Sequence, residues 1–289
     1  MALASPAPDR PGPVLPPAAI LRGAAREVAL IAGHLARYPG GLLPMRPTAR
    51  HGTGTRSDPA PIEAGERLPV VLVHGLADNR SIFGPLRRSL LRAGADVHAV
   101  NHNPVGGDVA GKAALLGRYI ERVCARDGAT GVHVIGHSLG GLIARYHAQL
   151  LGGDALVRTV VTLGTPHGGT RTARLLSAHP LVRELLPAGA PIAALARPAP
   201  GCATRFVAYR GDLDPFVLPL WSGAIDHPDL DAVNVLVPGA GHVTLTVHAP
   251  VLAEITRLLC TVRPIGRDAA PTAARPASTP PALVTRSAA

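Results

Sequence analysis

The sequence predicts an α/β fold with a mostly parallel central sheet and helices on both of its faces. Short apolar runs rich in β-branched residues alternate along the chain with longer segments whose apolar residues recur at helical spacing. Strands that are apolar throughout are typical of parallel sheets covered on both sides. Functional side chains are then expected in the loops at the carboxyl ends of the strands.

The predicted elements follow in order from residue 68. Strands are expected at 69–74, 96–100, 132–135, 159–163, 205–209 and 234–237. Helices are expected at 82–92, 112–126, 139–151 and 251–259. A chain of 289 residues with 47% hydrophobic residues fits one large domain with tails.

The central strand leads into a motif with a serine at its tip. Residues 131–141 read GVHVIGHSLGG, and Gly136-His137-Ser138-Leu139-Gly140 within them matches the G-x-S-x-G form of a nucleophile elbow. In such an elbow the chain on either side passes close to a strained serine, so a Cβ at Gly136 or Gly140 would be in the way. The motif predicts that Ser138 is a nucleophile and that His137 shapes the turn.

The N-terminal flank differs in composition from the domain. Residues 1–17 are rich in Pro and Ala and are expected to be disordered. Residues 18–67 are expected to form an amphipathic helix at 18–38 and then an irregular approach to the domain from Pro39 onward. Two roles stay open for the helix, which are packing against the domain and association with a membrane surface.

The remaining chain is interpreted as one catalytic domain and a tail. The domain spans 68–262 and includes a small cap at 168–203, where short leucine clusters are separated by prolines. The tail at 263–289 is rich in Pro and Ala and is expected to be disordered.

The net charge of +10 does not indicate a nucleic-acid partner. Residues 1–50 and 262–289 together carry +7 of this charge, so the domain itself is only mildly basic. The sequence has no basic helix, zinc module or aromatic-basic sheet motif of the kind that binds nucleic acids. We therefore expect no nucleic-acid binding.

Neither a disulfide framework nor a metal site is indicated. The three cysteines are widely spaced and form no C-x-x-C pair. A polar cluster late in the chain matches no specific ligand spacing and is interpreted as a solvated loop. Its members are Asp226, His227, Asp229 and Asp231.

A serine nucleophile needs a histidine base and a carboxylate at the same edge of the sheet. Asp214 follows the fifth predicted strand in a turn, and His242 follows the last strand in a glycine-rich loop. Asp212 and His248 are the alternatives, and His248 is expected close to a helix start. The order Ser138, Asp214, His242 is the chain order of the triad in α/β-hydrolases.

The tetrahedral intermediate of acyl transfer needs two backbone N–H groups that stabilise its oxyanion. One is expected from Leu139, directly after the nucleophile. The other is expected from Leu76, in the His74-Gly75-Leu76 loop after the first strand, because Gly75 allows the backbone to approach the substrate.

Three motifs resemble those of bacterial triacylglycerol lipases and related esterases of the α/β-hydrolase fold. They are VLVHGLADNRSIF, VIGHSLGGLIARY and TLGTPHGG, and the resemblance covers about residues 68–260. It implies the triad Ser138, Asp214 and His242, the oxyanion amides of Leu76 and Leu139, and hydrolysis of carboxylic esters of lipids without a cofactor. It also implies that residues 165–169 shape the pocket.

These observations predict a serine ester hydrolase whose substrate is a small-molecule or lipid ester. A thioesterase or acyltransferase with the same triad is one alternative, and a non-catalytic binding protein on a hydrolase scaffold is another. Peripheral contact with a membrane or lipid interface is compatible with the N-terminal helix. No signal sequence is legible, which favours the cytoplasm, although many lipases of this group are exported.

Overall fold

The computed structural model describes residues 16–43 and 68–261, and its centre is a parallel sheet. The strands are β1 (Val70–Val73), β2 (Val97–Val100), β3 (Val132–His137), β4 (Val157–Leu163), β5 (Arg205–Gly211) and β6 (Asp231–Val237). Their order in the sheet is β2-β1-β3-β4-β5-β6, and every neighbouring pair is parallel. The predicted α/β class is confirmed.

The helices lie in the connections between these strands and at the two ends of the described chain. They are α1 (Pro17–Leu42), α2 (Gly84–Arg92), α3 (Val109–Asp127), α4 (Leu139–Leu150), α5 (Pro180–Arg183), α6 (Ala190–Leu195) and α7 (Ala249–Thr261). α3 begins three residues before its predicted start because the Asp108 carboxylate accepts a hydrogen bond from Gly111 N at 2.6 Å and caps the first turn.

The inner strands β1, β3, β4 and β5 are buried on both faces, as their continuous apolar runs predict, whereas the edge strand β6 is largely exposed. Alternate residues of β1 point to opposite sides, so Val71 and Val73 pack on one face and Val70 and Leu72 on the other. The first face is covered by α3, α4 and the short helices after β4. The second face is covered by α2 and α7, with α1 packed alongside them.

The N-terminal helix is longer than predicted. The expectation that irregular structure begins at Pro39 is wrong, because α1 continues through this residue to Leu42. Loops from the domain support its last turn, where helix carbonyls lack intrahelical partners. The Asn79 amide donates to Tyr38 O at 3.0 Å, and the Asn101 amide donates to Gly41 O at 2.8 Å.

The segment between β4 and β5 contains three short helical pieces. These are a 3₁₀ turn at Arg171–Leu176, α5 and α6. Leu181, Val182 and Ile192 pack into the core beside α4, while Leu175 and Leu176 are exposed. The boundaries of a separate cap stay a prediction.

Other predictions for the flanks fall outside the described residues. These are residues 1–15 of the predicted disorder at 1–17, the disorder at 263–289 and the irregular structure at 44–67. The prediction of disorder is wrong for Pro17, which begins α1. Within residues 16–43 and 68–261, no helix has both the length and the apolar character needed to cross a membrane.

Candidate active site

The turn between β3 and α4 presents Ser138 in a strained backbone conformation. Its φ of 54° and ψ of −123° are rare for a residue with a side chain. A Cβ at Gly136 would collide with the backbone of Gly141, and a Cβ at Gly140 would collide with the carbonyl of Val73. Both positions therefore require glycine, as the G-x-S-x-G motif predicts.

The backbone around Ser138 is held from two sides. Ser138 N donates to Leu163 O at 2.9 Å, and the Thr165 hydroxyl donates to Ser138 O at 2.9 Å. The loop after β1 is also in contact, because a Cβ on Gly75 would lie 3.0 Å from the Ser138 Cβ. Ser138 is therefore enclosed by the loops that follow β1 and β4.

Asp214 and His242 meet at the carboxyl edge of the sheet. His242 Nδ1 and Asp214 Oδ2 are 2.7 Å apart, and both residues are buried. The other carboxylate oxygen of Asp214 accepts hydrogen bonds from Phe216 N at 2.8 Å and Val217 N at 3.1 Å. These bonds fix the carboxylate and orient the imidazole.

The two alternatives lie elsewhere. The Asp212 carboxylate accepts a hydrogen bond from Gly239 N at 2.6 Å and so ties together the loops after β5 and β6. His248 directly precedes α7, and its backbone carbonyl accepts the hydrogen bond of Leu252 N at 2.9 Å.

The surroundings of His242 favour its protonated form. Burial alone would lower the pKa of this imidazole, but the ion pair and hydrogen bond with Asp214, together with Glu27 and Asp78, raise the pKa above its ordinary value. A histidine in this setting can accept a proton during the reaction and hold the resulting charge beside Asp214.

The two expected oxyanion donors come from the elbow itself and from the loop after β1. Leu139 is the first residue of α4, where a backbone N–H has no partner within the helix. Leu76 lies in the loop after β1, next to Ala77, whose φ of 51° is unusual for a residue other than glycine. Ala77 N donates to Pro104 O at 3.0 Å and fixes this loop.

Residues 165–169 connect the elbow to the loop that follows Asp214. Gly168 N donates to Ser222 O at 2.8 Å, and the nearby Thr170 hydroxyl donates to Phe216 O at 2.8 Å. The side chain of His167, within this stretch, is buried, with its Nε2 2.9 Å from the Thr162 hydroxyl. Burial holds the pKa of His167 well below its ordinary value, so it is a neutral structural residue.

One partly exposed apolar side chain lies against the His242 ring. The Phe216 ring centroid is 5.1 Å from the imidazole centroid of His242, and Phe216 is about half exposed. The same loop and the 3₁₀ turn after β4 present further large apolar groups to solvent. These are Leu175, Leu176, Leu218 and Trp221.

Sequence reasoning missed three buried polar residues beside the site, namely Glu27, His34 and Asp78. The Glu27 carboxylate contacts the loop after His242. His34 Nε2 is 2.7 Å from Asp78 Oδ1, and Asp78 Oδ2 is 3.8 Å from His137 Nδ1. A signal for the two α1 residues was present in the sequence. Glu27 is the single acidic residue of this helix, and His34 follows it by seven residues, which places both on the same side.

The described residues contain one group with the spacing of potential metal ligands, formed by Asp96, His98 and Asp127. It lies at the amino end of β2, away from the active edge of the sheet. Asp127 also forms an ion pair with Arg126, and His98 Nε2 lies 3.2 Å from Asp96 Oδ2, so these side chains form a charge network with a buried histidine. In the late polar cluster, Asp229 accepts a hydrogen bond from Ala199 N at 2.8 Å and links two loops.

The sheet order, the elbow and the loops at one edge together define the α/β-hydrolase fold, and comparisons with known proteins agree. The family model for the alpha/beta hydrolase fold matches residues 69–190. Among solved structures, the mature lipase BlEst2 of Bacillus licheniformis superimposes with a TM-score of 0.57 at 18% identity. That match covers 69% of this chain and 95% of the lipase.

Sequence comparison also finds relatives, which match over part of the chain. A triacylglycerol lipase of Pseudarthrobacter phenanthrenivorans is 39% identical over 119 residues, which are 38% of this chain and 36% of the lipase. A palmitoyl-protein thioesterase-dolichyl pyrophosphate phosphatase fusion of Schizosaccharomyces pombe is 36% identical over 120 residues, which are 38% of this chain and 19% of that protein. The predicted resemblance to bacterial triacylglycerol lipases is confirmed, although the matches span about a third or less of these relatives.

Proposed function

We propose that the protein is a serine carboxylic-ester hydrolase, a lipase or esterase that acts on esters with apolar acyl groups. One observation carries the proposal, which is the 2.7 Å hydrogen bond between His242 Nδ1 and Asp214 Oδ2. This bond fixes the tautomer in which Nε2 is the basic nitrogen, and that nitrogen is the one that takes the proton of a serine nucleophile.

The reaction proceeds through an acyl-enzyme. His242 removes the proton of the Ser138 hydroxyl as its oxygen attacks the ester carbonyl, and the N–H groups of Leu76 and Leu139 stabilise the oxyanion. The protonated imidazole then gives its proton to the leaving alcohol. A water molecule, activated by the same histidine, attacks the acyl-enzyme and releases the acid.

The exposed apolar side chains Phe216, Leu218 and Trp221 support an acyl ester as the substrate. Phe216 lies against the His242 ring, and Leu218 and Trp221, which follow it in the chain, are also exposed. A hydrocarbon chain placed there would remove apolar surface from water on both sides of the contact. The name of the lipase relative from Pseudarthrobacter agrees with this substrate class.

The test is hydrolysis of p-nitrophenyl esters from acetate to palmitate by the wild type, Ser138→Ala and Ser89→Ala. Ser89 lies on α2, is partly buried and bonds only Thr256 among the described side chains, so it is a matched control. We expect turnover that Ser138→Ala reduces by at least about 10³-fold and that Ser89→Ala retains. Folded wild-type protein that hydrolyses none of these esters would contradict the proposal.

A second candidate is hydrolysis of thioesters. The same nucleophile and oxyanion donors serve any acyl transfer, and the Schizosaccharomyces relative is named in part as a palmitoyl-protein thioesterase. Comparison of palmitoyl thioesters with palmitate esters at equal chain length separates the two activities. The higher kcat/KM identifies the preferred leaving group.

A fluorophosphonate probe separates both enzymatic proposals from a non-catalytic binding role. The probe modifies a serine only when a base activates its hydroxyl. Labelling of the wild type that is lost in Ser138→Ala is expected for an enzyme. Absence of labelling in folded protein would favour the binding role.

A further inference from the structure

The inner face of α1 carries three buried residues, which are Glu27, His34 and Gly41. Their spacing of seven residues corresponds to two turns, so they lie along one side of the helix. This helix lies outside the segment that matches the hydrolase family model. Its inner face nevertheless contacts the loops that carry His242 and Leu76.

Of these three residues, Glu27 makes the most hydrogen bonds to the loop that carries His242. Its carboxylate accepts hydrogen bonds from Val243 N at 2.5 Å, from Thr244 N at 3.0 Å and from the Thr244 hydroxyl at 2.7 Å. On the other side of His242, a Cβ added to Gly241 would collide with the same carboxylate. Glu27 therefore touches the backbone immediately before and immediately after the catalytic histidine.

Burial makes this arrangement energetically demanding. Glu27 is only 5% exposed, and a buried carboxylate is strongly destabilising unless donors surround it. Removal of the carboxylate would leave two backbone N–H groups of the loop without their acceptor. The loop conformation and the presence of Glu27 are therefore coupled.

Three carboxylates and one further histidine, each from a different part of the fold, surround the His242 imidazole. Asp214 follows β5, Asp78 follows β1, Glu27 comes from α1, and His137 ends β3 with its ring centroid 4.7 Å from that of His242. Asp214 contacts the imidazole directly, whereas Glu27 contacts the backbone beside it and acts on the imidazole through its charge. Burial lowers the pKa of His137, so it is a neutral neighbour.

We propose that Glu27 is a positioning residue for catalysis, and that α1 thereby forms part of the active site by fixing the loop of His242. The inference rests on the proposed serine hydrolase function. In this arrangement the carboxylate holds residues 241–244 so that the imidazole stays aligned between Asp214 and Ser138. Its negative charge also stabilises the imidazolium that forms during the reaction.

The test compares Glu27→Gln with Glu121→Gln in the full-length protein. Glu121 is exposed on α3, so it controls for loss of one acidic charge. The Gln side chain keeps the size of Glu27 and one oxygen acceptor but removes the charge. We expect Glu27→Gln to lower kcat by about 10- to 100-fold with KM nearly unchanged. The acid limb of its pH profile should move to lower pH.

A direct titration of His242 provides a readout that does not require a substrate. NMR of ¹⁵N-histidine-labelled protein, with the signal assigned by its loss in His242→Gln, measures the imidazole pKa in the wild type and in Glu27→Gln. We expect the pKa of His242 to fall in Glu27→Gln and to stay constant in Glu121→Gln. If the wild type hydrolyses no ester, the proposed function fails, while this titration still tests the role of Glu27.

Two results would overturn the inference. One is a Glu27→Gln protein with wild-type kcat and an unchanged His242 pKa. The other is a loss of activity that follows only a loss of folded protein, with both pH profile and titration unchanged, because a purely structural role gives that pattern. If Glu27→Gln does not fold, Thr244→Val removes one of the three donors. That variant should lower kcat by a smaller factor without a change in KM, and wild-type kcat in it would contradict the proposal.

Discussion

The imidazole of His242 and the carboxylate of Asp214 are joined by a 2.7 Å hydrogen bond, although 28 residues separate them in sequence. Two backbone N–H groups hold the second oxygen of the carboxylate, so it cannot rotate away from the ring without losing them. The His242–Asp214 pair is therefore held in a fixed geometry.

Asp214→Asn should lower kcat/KM for p-nitrophenyl butyrate by about 10³- to 10⁴-fold, because an amide favours the wrong imidazole tautomer and does not stabilise the imidazolium. Asp212→Asn is the matched control. Its amide oxygen can still accept the hydrogen bond of Gly239 N, so its activity should stay within about threefold of the wild type. A larger loss of kcat/KM in Asp212→Asn than in Asp214→Asn would identify Asp212 as the carboxylate of the triad.

Activity should rise with pH through the titration of His242, because only the neutral imidazole can accept the serine proton. The carboxylates near His242 raise its pKa above the ordinary 6.5, so the midpoint of the acid limb of kcat/KM should lie above pH 6.5. A stopped-assay profile of kcat/KM from pH 5 to 9 measures this midpoint. Full activity retained at pH 5.5 would contradict the assignment of His242 as base.

Gly164→Ala should abolish most activity, whereas Gly152→Ala should not. Both glycines have positive φ, 57° and 69°, so either alanine is strained by about 1 to 2 kcal/mol. The new Cβ at residue 164 would lie 2.9 Å from His242 Nδ1 and 3.1 Å from Asp214 Oδ2, while that at residue 152 meets open space. Urea unfolding and ester turnover measure the two effects separately, and equal activity in both variants would argue against tight packing around the pair.

The free energy of unfolding should fall as the pH is lowered from about 6.5 to about 4. Burial lowers the pKa of His133 and of His74 from 6.5 to about 4, so in this window each histidine is neutral when folded and protonated when unfolded. Their stabilising contribution is complete above pH 6.5 and is lost as the pH falls through the folded pKa. Urea midpoints measured across the window give the slope.

The same measurement on His133→Leu isolates one of the two groups. His133 lies on β3 and its Nδ1 has no hydrogen-bond partner among the described residues, so leucine removes a titrating group from an apolar setting. The slope should decrease by about 1.4 kcal/mol per pH unit near the middle of the window. An unchanged slope would mean that His133 is not neutral in the folded protein.

Local patterns in the sequence were sufficient for most of the fold. The apolar run at 70–73 was enough to predict β1. Alternate side chains of this strand pack on opposite faces of the sheet and all four are buried, so each position needs an apolar residue. The G-x-S-x-G motif predicts the turn at Ser138, although only Gly136 is required by a local contact, with Gly141, whereas Gly140 is required by the Val73 carbonyl of β1. The end of α1 was missed because Asn79 and Asn101, which support its last turn beyond Pro39, come from distant loops.

The amino-acid pattern was enough for the parallel α/β architecture, the elbow at Ser138 and the set of polar residues from which a triad could form. The pairing of His242 with Asp214 rather than Asp212, and the contact of Glu27 with Val243 across 216 residues, emerge from the folded chain. This is because periodicity reports which face of its own element a residue occupies. Which distant loops meet depends on the order of the strands and on how α1 packs beside them.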